Sequence, residues 1–141
     1  MRSPEESLRD LVREWLRNAE EDFQVAQELM GRDRLTYNPV GFHAQQAAEK
    51  FIKALLTRHQ IAFPKTHSIR ILLELAHPTL PDLLERLQHA HTLTPYGVEI
   101  RYPRRGPALN REEGAEAIRL ATEVRMEVVR QLDDYLRGEN Q

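Results

Sequence analysis

The chain contains no cysteine. Disulfides, thiolate metal sites and cysteine nucleophiles are therefore excluded. That suits a reducing cytosol without requiring one. Long apolar runs are missing too, since none approaches the roughly 20 residues that span a bilayer. The opening stretch, Met1 to Asp10, is charged, so no secretory leader is expected there. The expected protein is soluble and cytoplasmic, with no membrane partner. Lysine is scarce: Lys50, Lys53 and Lys65 are the only ones, and arginine carries the remaining positive charge. Such a bias can reflect overall composition, or phosphate recognition, which arginine's planar fork favours. A net charge of -2 with 30% charged residues gives an ordinary surface with no general pull toward nucleic acid. Only a local basic patch would supply one.

What is present fits one all-helical domain, 1–141, with its core at about 7–137. A chain of this length buries roughly two thirds of its unfolded surface and needs no covalent staple. Ser3-Pro4-Glu5-Glu6 reads as a cap, a first-turn proline and a capping box. Leu8, Leu11, Val12, Trp15, Leu16, Ala19, Phe23, Ala26, Leu29 and Met30 then make one apolar stripe, and Gly31 ends the helix.

Asn38-Pro39 reads as the cap and first turn of a second helix, reaching about His59. Phe42, Ala44, Ala47, Ala48, Phe51, Ile52, Ala54, Leu55 and Leu56 cover more than half its circumference. A helix apolar on so many sides belongs in the centre, and its alanines let neighbours approach closely. Thr66 or Ser68 can cap a short third helix ending at His77-Pro78. Pro81 opens a fourth through Leu83, Leu84, Leu87 and Ala90, which Pro95 breaks or kinks. Tyr96 to Leu109 reads as an irregular loop. Asn110 caps the last helix, with Glu113 completing the box and Gly138 closing it. The expected architecture is an up-and-down antiparallel bundle of four main helices plus a short one.

Polar residues inside the central helix are the anomaly. Gln46 and Lys50 share a face with Lys53 beside them, and Gln45 and Glu49 form a second pair. Buried charge needs a partner or a cleft. Either Glu49 and Lys50 pair with Glu20, Glu21 or Asp22 of the first helix, or a lysine faces ligand in a groove. A second cluster, Arg101-Tyr102-Pro103-Arg104-Arg105, combines arginine forks with a stacking ring, as phosphate and base recognition require. It reads equally as a solvated loop packed by Tyr102 and Pro103. His67 follows Thr66 at a helix start, where its ring can satisfy backbone groups. His77, His89 and His91 lack the i, i+4 partners that a metal site needs. No metal or cofactor is expected. There is no glycine-rich phosphate loop and no nucleophile elbow.

Trp15, Ala19, Asp22 and Ala26 precede Gln45-Gln46-Ala47-Ala48-Glu49-Lys50 and Lys53-Ala54-Leu55-Leu56. His67, Leu72, Leu93-Thr94, Tyr96 and Arg101-Tyr102-Pro103 follow. From about Arg13 to Leu136, this order resembles the HEPN domain family (higher eukaryotes and prokaryotes nucleotide-binding). The resemblance implies a helical bundle, often a homodimer. It also implies pairing with a minimal nucleotidyltransferase, frequently as a toxin–antitoxin system, and binding of an ATP-like nucleotide. On that reading Lys50, Lys53, Arg101, Tyr102 and His67 are the candidate ligand-binding residues. Other family members are metal-independent ribonucleases that use an arginine followed, four to six residues later, by a histidine. Arg86 and His91 match that spacing, which makes RNA a second candidate ligand. On a continuous helix, however, five residues turn about 140°, so the two side chains would diverge. A purely structural partner subunit is the third reading.

Overall fold

Reciprocal caps set where the two outermost helices begin. In the computed structural model, which describes residues 1–99 and 107–138, Ser3 Oγ accepts from the Glu6 N–H while Glu6 Oε1 accepts from the Ser3 N–H at 2.9 Å. Helix α1 runs from there over Pro4–Met30. Asn110 and Glu113 repeat the arrangement at the start of α6, Arg111–Leu136. Between them lie α2 (Asn38–Arg58), α3 (Ile69–Ala76), α4 (Pro81–Leu87), a 3₁₀ segment (Gln88–Leu93) and α5 (Thr94–Glu99). Among the described residues there is no strand.

Helix α2 is the central element. It touches α1, α3, α5, α6 and the 3₁₀ segment. Ala44, Ala47, Ala48, Phe51, Ile52, Ala54, Leu55 and Leu56 are all fully buried along it. Helices α1 and α6 pack on it and on each other in opposite directions. Arg9 near the start of α1 reaches the Tyr135 carbonyl, Glu20 pairs with Arg125, and the Arg111 guanidinium at the start of α6 reaches the Met30 carbonyl.

Several local expectations change. Asn38 does not cap α2. Tyr37 holds the cap position without a side-chain bond, and Asn38 Oδ1 instead accepts the Leu109 N–H at 2.8 Å. That bond, with Tyr37 N–H to the Leu109 carbonyl at 3.0 Å, ties the start of α2 to the approach to α6. Of the two candidate caps for α3, Ser68 serves, accepting from Ile71, while Thr66 accepts from the Ser68 N–H. The expected fourth main helix is divided. It tightens to 3₁₀ at Gln88 and gives way at Thr94 to α5, with the expected breaker Pro95 in the first turn of that new helix. Three long helices and a series of short ones therefore replace four main helices. Tyr96 to Glu99, expected in a loop, is helical.

Helix α2 ends on a left-handed residue that is not glycine. Gln60 has φ 55°. Its N–H reaches the Thr57 carbonyl and the Ile61 N–H reaches Leu56, the paired bonds that close a helix in this way. The turn directs the connector back along α2, bringing Phe63 and His67 beside it.

Candidate functional site

Gln45, Glu49 and Lys53 are spaced four apart, so they line one face of α2. Gln45 is 0% exposed, Glu49 3% and Lys53 8%. Such burial is tolerable only because the polar atoms are paired. Glu49 Oε2 accepts from Lys53 Nζ at 2.7 Å. Glu49 Oε1 accepts from Gln45 Nε2 at 3.0 Å and contacts His67 Nδ1 at 2.9 Å. Gln45 Nε2 also donates to the His67 carbonyl, and Gln45 Oε1 accepts from Gln46. The Lys53 ammonium lies 5.6 Å from the centres of both the Trp15 and Phe63 rings, which meet edge to face. Cation and ring faces attract, which adds to the carboxylate's hold on this lysine.

Burial pushes the Glu49 carboxyl up. The hydrogen bonds from Lys53, Gln45 and His67, together with the lysine's charge, outweigh it and hold the group below its ordinary value. An anionic, nearly water-free carboxylate thus fixes the ring of His67, whose side chain is 56% exposed. Among the described residues, no hydrogen-bond partner is found for His67 Nε2. A fixed imidazole with one nitrogen free can donate to an anion or carry a proton.

Lys50 sits on the neighbouring face. Its ammonium is 2.6 Å from Asp22 Oδ2, and His43 Nδ1 is 2.9 Å from Asp22 Oδ1. This half-buried trio bridges α1 and α2. The pairing of Lys50 with helix one is thus present, but Glu49 makes no such pair; its partners are Lys53 and His67. Lys53 belongs with Glu49, not with Gln46 and Lys50.

Above Gln45 lies α5. A β-carbon at Gly97 would collide with the Gln45 side-chain amide, so glycine is what lets α5 approach the polar face of α2 so closely. Thr94 Oγ1, at the start of α5, accepts from the Ile69 N–H and ties α5 to the first turn of α3. Helix α5 is therefore packed on Gln45 of α2 and bonded to the first turn of α3.

The model of the family described as "HEPN domain" matches residues 12–132, from Val12 in α1 to Leu132 in α6. The chain belongs to the HEPN domain family. No curated protein and no solved structure matches it. The Gln45 to Lys53 face, His67 and the approach of α5 all lie within the matched span of this HEPN domain.

Arg101 and Tyr102 lie outside the described residues. Arg86 and His91 are not brought together. Arg86 pairs with Glu127 of α6 at 3.2 Å and lines a depression of about 470 Å³ beside Arg130 and Gln131. His91 lines a different depression, with Arg70 and His89. The 3₁₀ segment removes the continuous helix on which the angle between them was reckoned, but the two remain on separate surfaces. Among the described residues, no three acidic or histidine side chains gather to hold a metal, and no helix is long and apolar enough to cross a membrane.

The ring box around Lys53 and the His43–Asp22 contact were missed at the level of sequence. Glu49 preceding Lys53 by four was a legible signal, since that order favours pairing on a helix. His43, Gln46 and Lys50 likewise fall at helical spacing on one face. Nothing local in the sequence pointed to Phe63, which arrives through the turn at Gln60.

Proposed function

We propose that this HEPN domain is a non-catalytic nucleotide- and partner-binding module. It would act in the cytoplasm, as a homodimer, with a minimal nucleotidyltransferase in a toxin–antitoxin pair. The long helices, with α4, the 3₁₀ segment and α5 in place of one continuous fourth helix, would form the family's up-and-down bundle. The observation that carries this reading is the exposed His67 imidazole, oriented by an almost completely buried carboxylate. A surface histidine with only a packing role does not require a buried Glu49–Lys53–Gln45 network behind it. His67 would donate to a nucleotide phosphate, Lys50 would add charge at the edge of α2, Arg101 would meet phosphate and Tyr102 would stack. Lys53 changes role in this reading: held by Glu49 and two rings, it positions Glu49 and does not touch phosphate.

Calorimetry with ATP and other nucleotides, on the protein alone and with the nucleotidyltransferase, is the test. Binding that His67→Gln weakens supports the proposal. No heat at millimolar nucleotide in either state ends the nucleotide part. The purely structural partner subunit is the second reading, and the closed pairing of Lys50 with Asp22 and Lys53 with Glu49 favours it. That reading predicts complex formation with no nucleotide heat and no effect of His67→Gln.

A further inference from the structure

Most arginines of the described chain are spoken for. Arg2, Arg13, Arg86, Arg111, Arg119, Arg125, Arg130 and Arg137 all hold carboxylates. Around one depression of about 230 Å³, between α3, α4 and the 3₁₀ segment, the pattern reverses. Arg70, Gln88, His89 and His91 line it over Leu73 and Leu84. None of these lining residues is acidic, and among the described residues none of the four polar side chains makes an ion pair or hydrogen bond. Glu74 follows Arg70 by four residues on α3, yet the two are not paired. Cation before acid is the weaker order for such a helical pair.

The geometry that gathers these donors comes from the divided fourth helix. In a 3₁₀ segment, residues three apart eclipse one another. Gln88 and His91 therefore stack on one side, and Ala90 and Leu93 on another, where both are buried. Arg70 stands one turn before Leu73 on α3, so guanidinium and apolar floor share a face. Donors from two elements thus meet over leucine.

We propose that this depression is a phosphate-binding site, separate from the His67 cluster, that takes the phosphate of a small phosphomonoester. The Arg70 guanidinium supplies a planar fork for two phosphate oxygens. His89 and His91 donate to the remaining oxygens, Gln88 donates through its amide, and Leu84, backed by the buried Leu73, meets the less polar part of the ligand. The proposal stands on different residues from the nucleotide reading and does not depend on it.

The test is titration of the intact protein with inorganic phosphate and, separately, adenosine monophosphate, followed through the nitrogen resonances of the histidine rings. Shifts at His89 and His91, with His67 unmoved by inorganic phosphate, are expected. Arg70→Gln and His91→Gln are each expected to weaken binding by about tenfold or more, whereas Arg130→Gln, on the other depression, leaves it unchanged. Both substituted side chains lie outside the core, and the wild-type resonances give an answer that needs no variant. Still resonances at millimolar ligand overturn the proposal, as does binding that survives both substitutions. A response to adenosine monophosphate but not to phosphate shows that the leucine floor contributes to binding. An equal response to both assigns the site to the phosphate alone.

Discussion

Glu49 accepts three donors while almost wholly withdrawn from water, so removing its charge strands the Lys53 ammonium among rings and aliphatic groups. An uncompensated buried charge is costly. Glu49→Gln is expected to lower stability by about 3–5 kcal/mol in urea unfolding. Lys53→Met removes the other charge but leaves the carboxylate two donors. The double variant should therefore lose less than the sum of the single losses. Additive losses would show that the two charges do not depend on each other. The same carboxyl sets a pH dependence. Its folded pKa lies below the ordinary 4.5, so the unfolded chain takes up the proton first as pH falls. The stabilisation is complete above that ordinary value and is lost as pH drops through the lower, folded one. Urea midpoints of the wild type should fall below about pH 4.5, and fall more steeply than those of Glu49→Gln. Glu127 is depressed as well and contributes to both curves, so the difference between them is the measurement. Parallel curves would remove Glu49 from the explanation.

Packing between α5 and α2 admits no side chain at Gly97, because the Gln45 amide fills the space. Gln45 cannot swing away without releasing Glu49 and the His67 carbonyl. Gly97→Ala is therefore expected to cost about 1–3 kcal/mol, the range for overfilling a packed site. Hydrogen exchange should show the loss first at the Ile69 N–H, which Thr94 anchors. Unchanged protection there would mean that α5 moves freely. Much at this scale was legible in the sequence. Both capping boxes stood in the residues Ser3–Glu6 and Asn110–Glu113, and the apolar circumference of α2 announced a central helix. The division of the expected fourth helix was not legible, although Leu87, Ala90 and Leu93 recur every three residues. A three-residue step is shared by α-helix and 3₁₀, so it does not choose between them until the long-range packing is known. The candidate site was half legible for a similar reason. Spacing along α2 disclosed which polar groups share a face, but their partners Trp15, Phe63 and His67 come from other elements.

The three long helices meet around one ring near the end of the chain. The Arg58 guanidinium of α2 lies 4.1 Å from the centre of the Tyr135 ring and Arg9 of α1 lies 5.2 Å away, so α1, α2 and α6 converge on it. The ring is what matters there, because the buried phenol oxygen finds no partner among the described residues. Tyr135→Phe should leave stability unchanged or raise it by up to about 1 kcal/mol. Tyr135→Ala should lower it by about 2–3 kcal/mol, toward the low end for aromatic truncation since the ring is only half-buried. Thermal unfolding of the two variants separates these outcomes, and equal losses would assign the effect to the hydroxyl. The box of rings around Lys53 also makes the molecule unusual toward amine reagents. Of its three lysines, Lys65 is exposed, Lys50 is half-buried against Asp22, and Lys53 is shielded. A reactive ester should acylate Lys65 first, Lys50 more slowly and Lys53 only when the contact between α2 and Phe63 opens. The rate at which mass spectrometry finds a label on Lys53 then becomes a clock for that local opening.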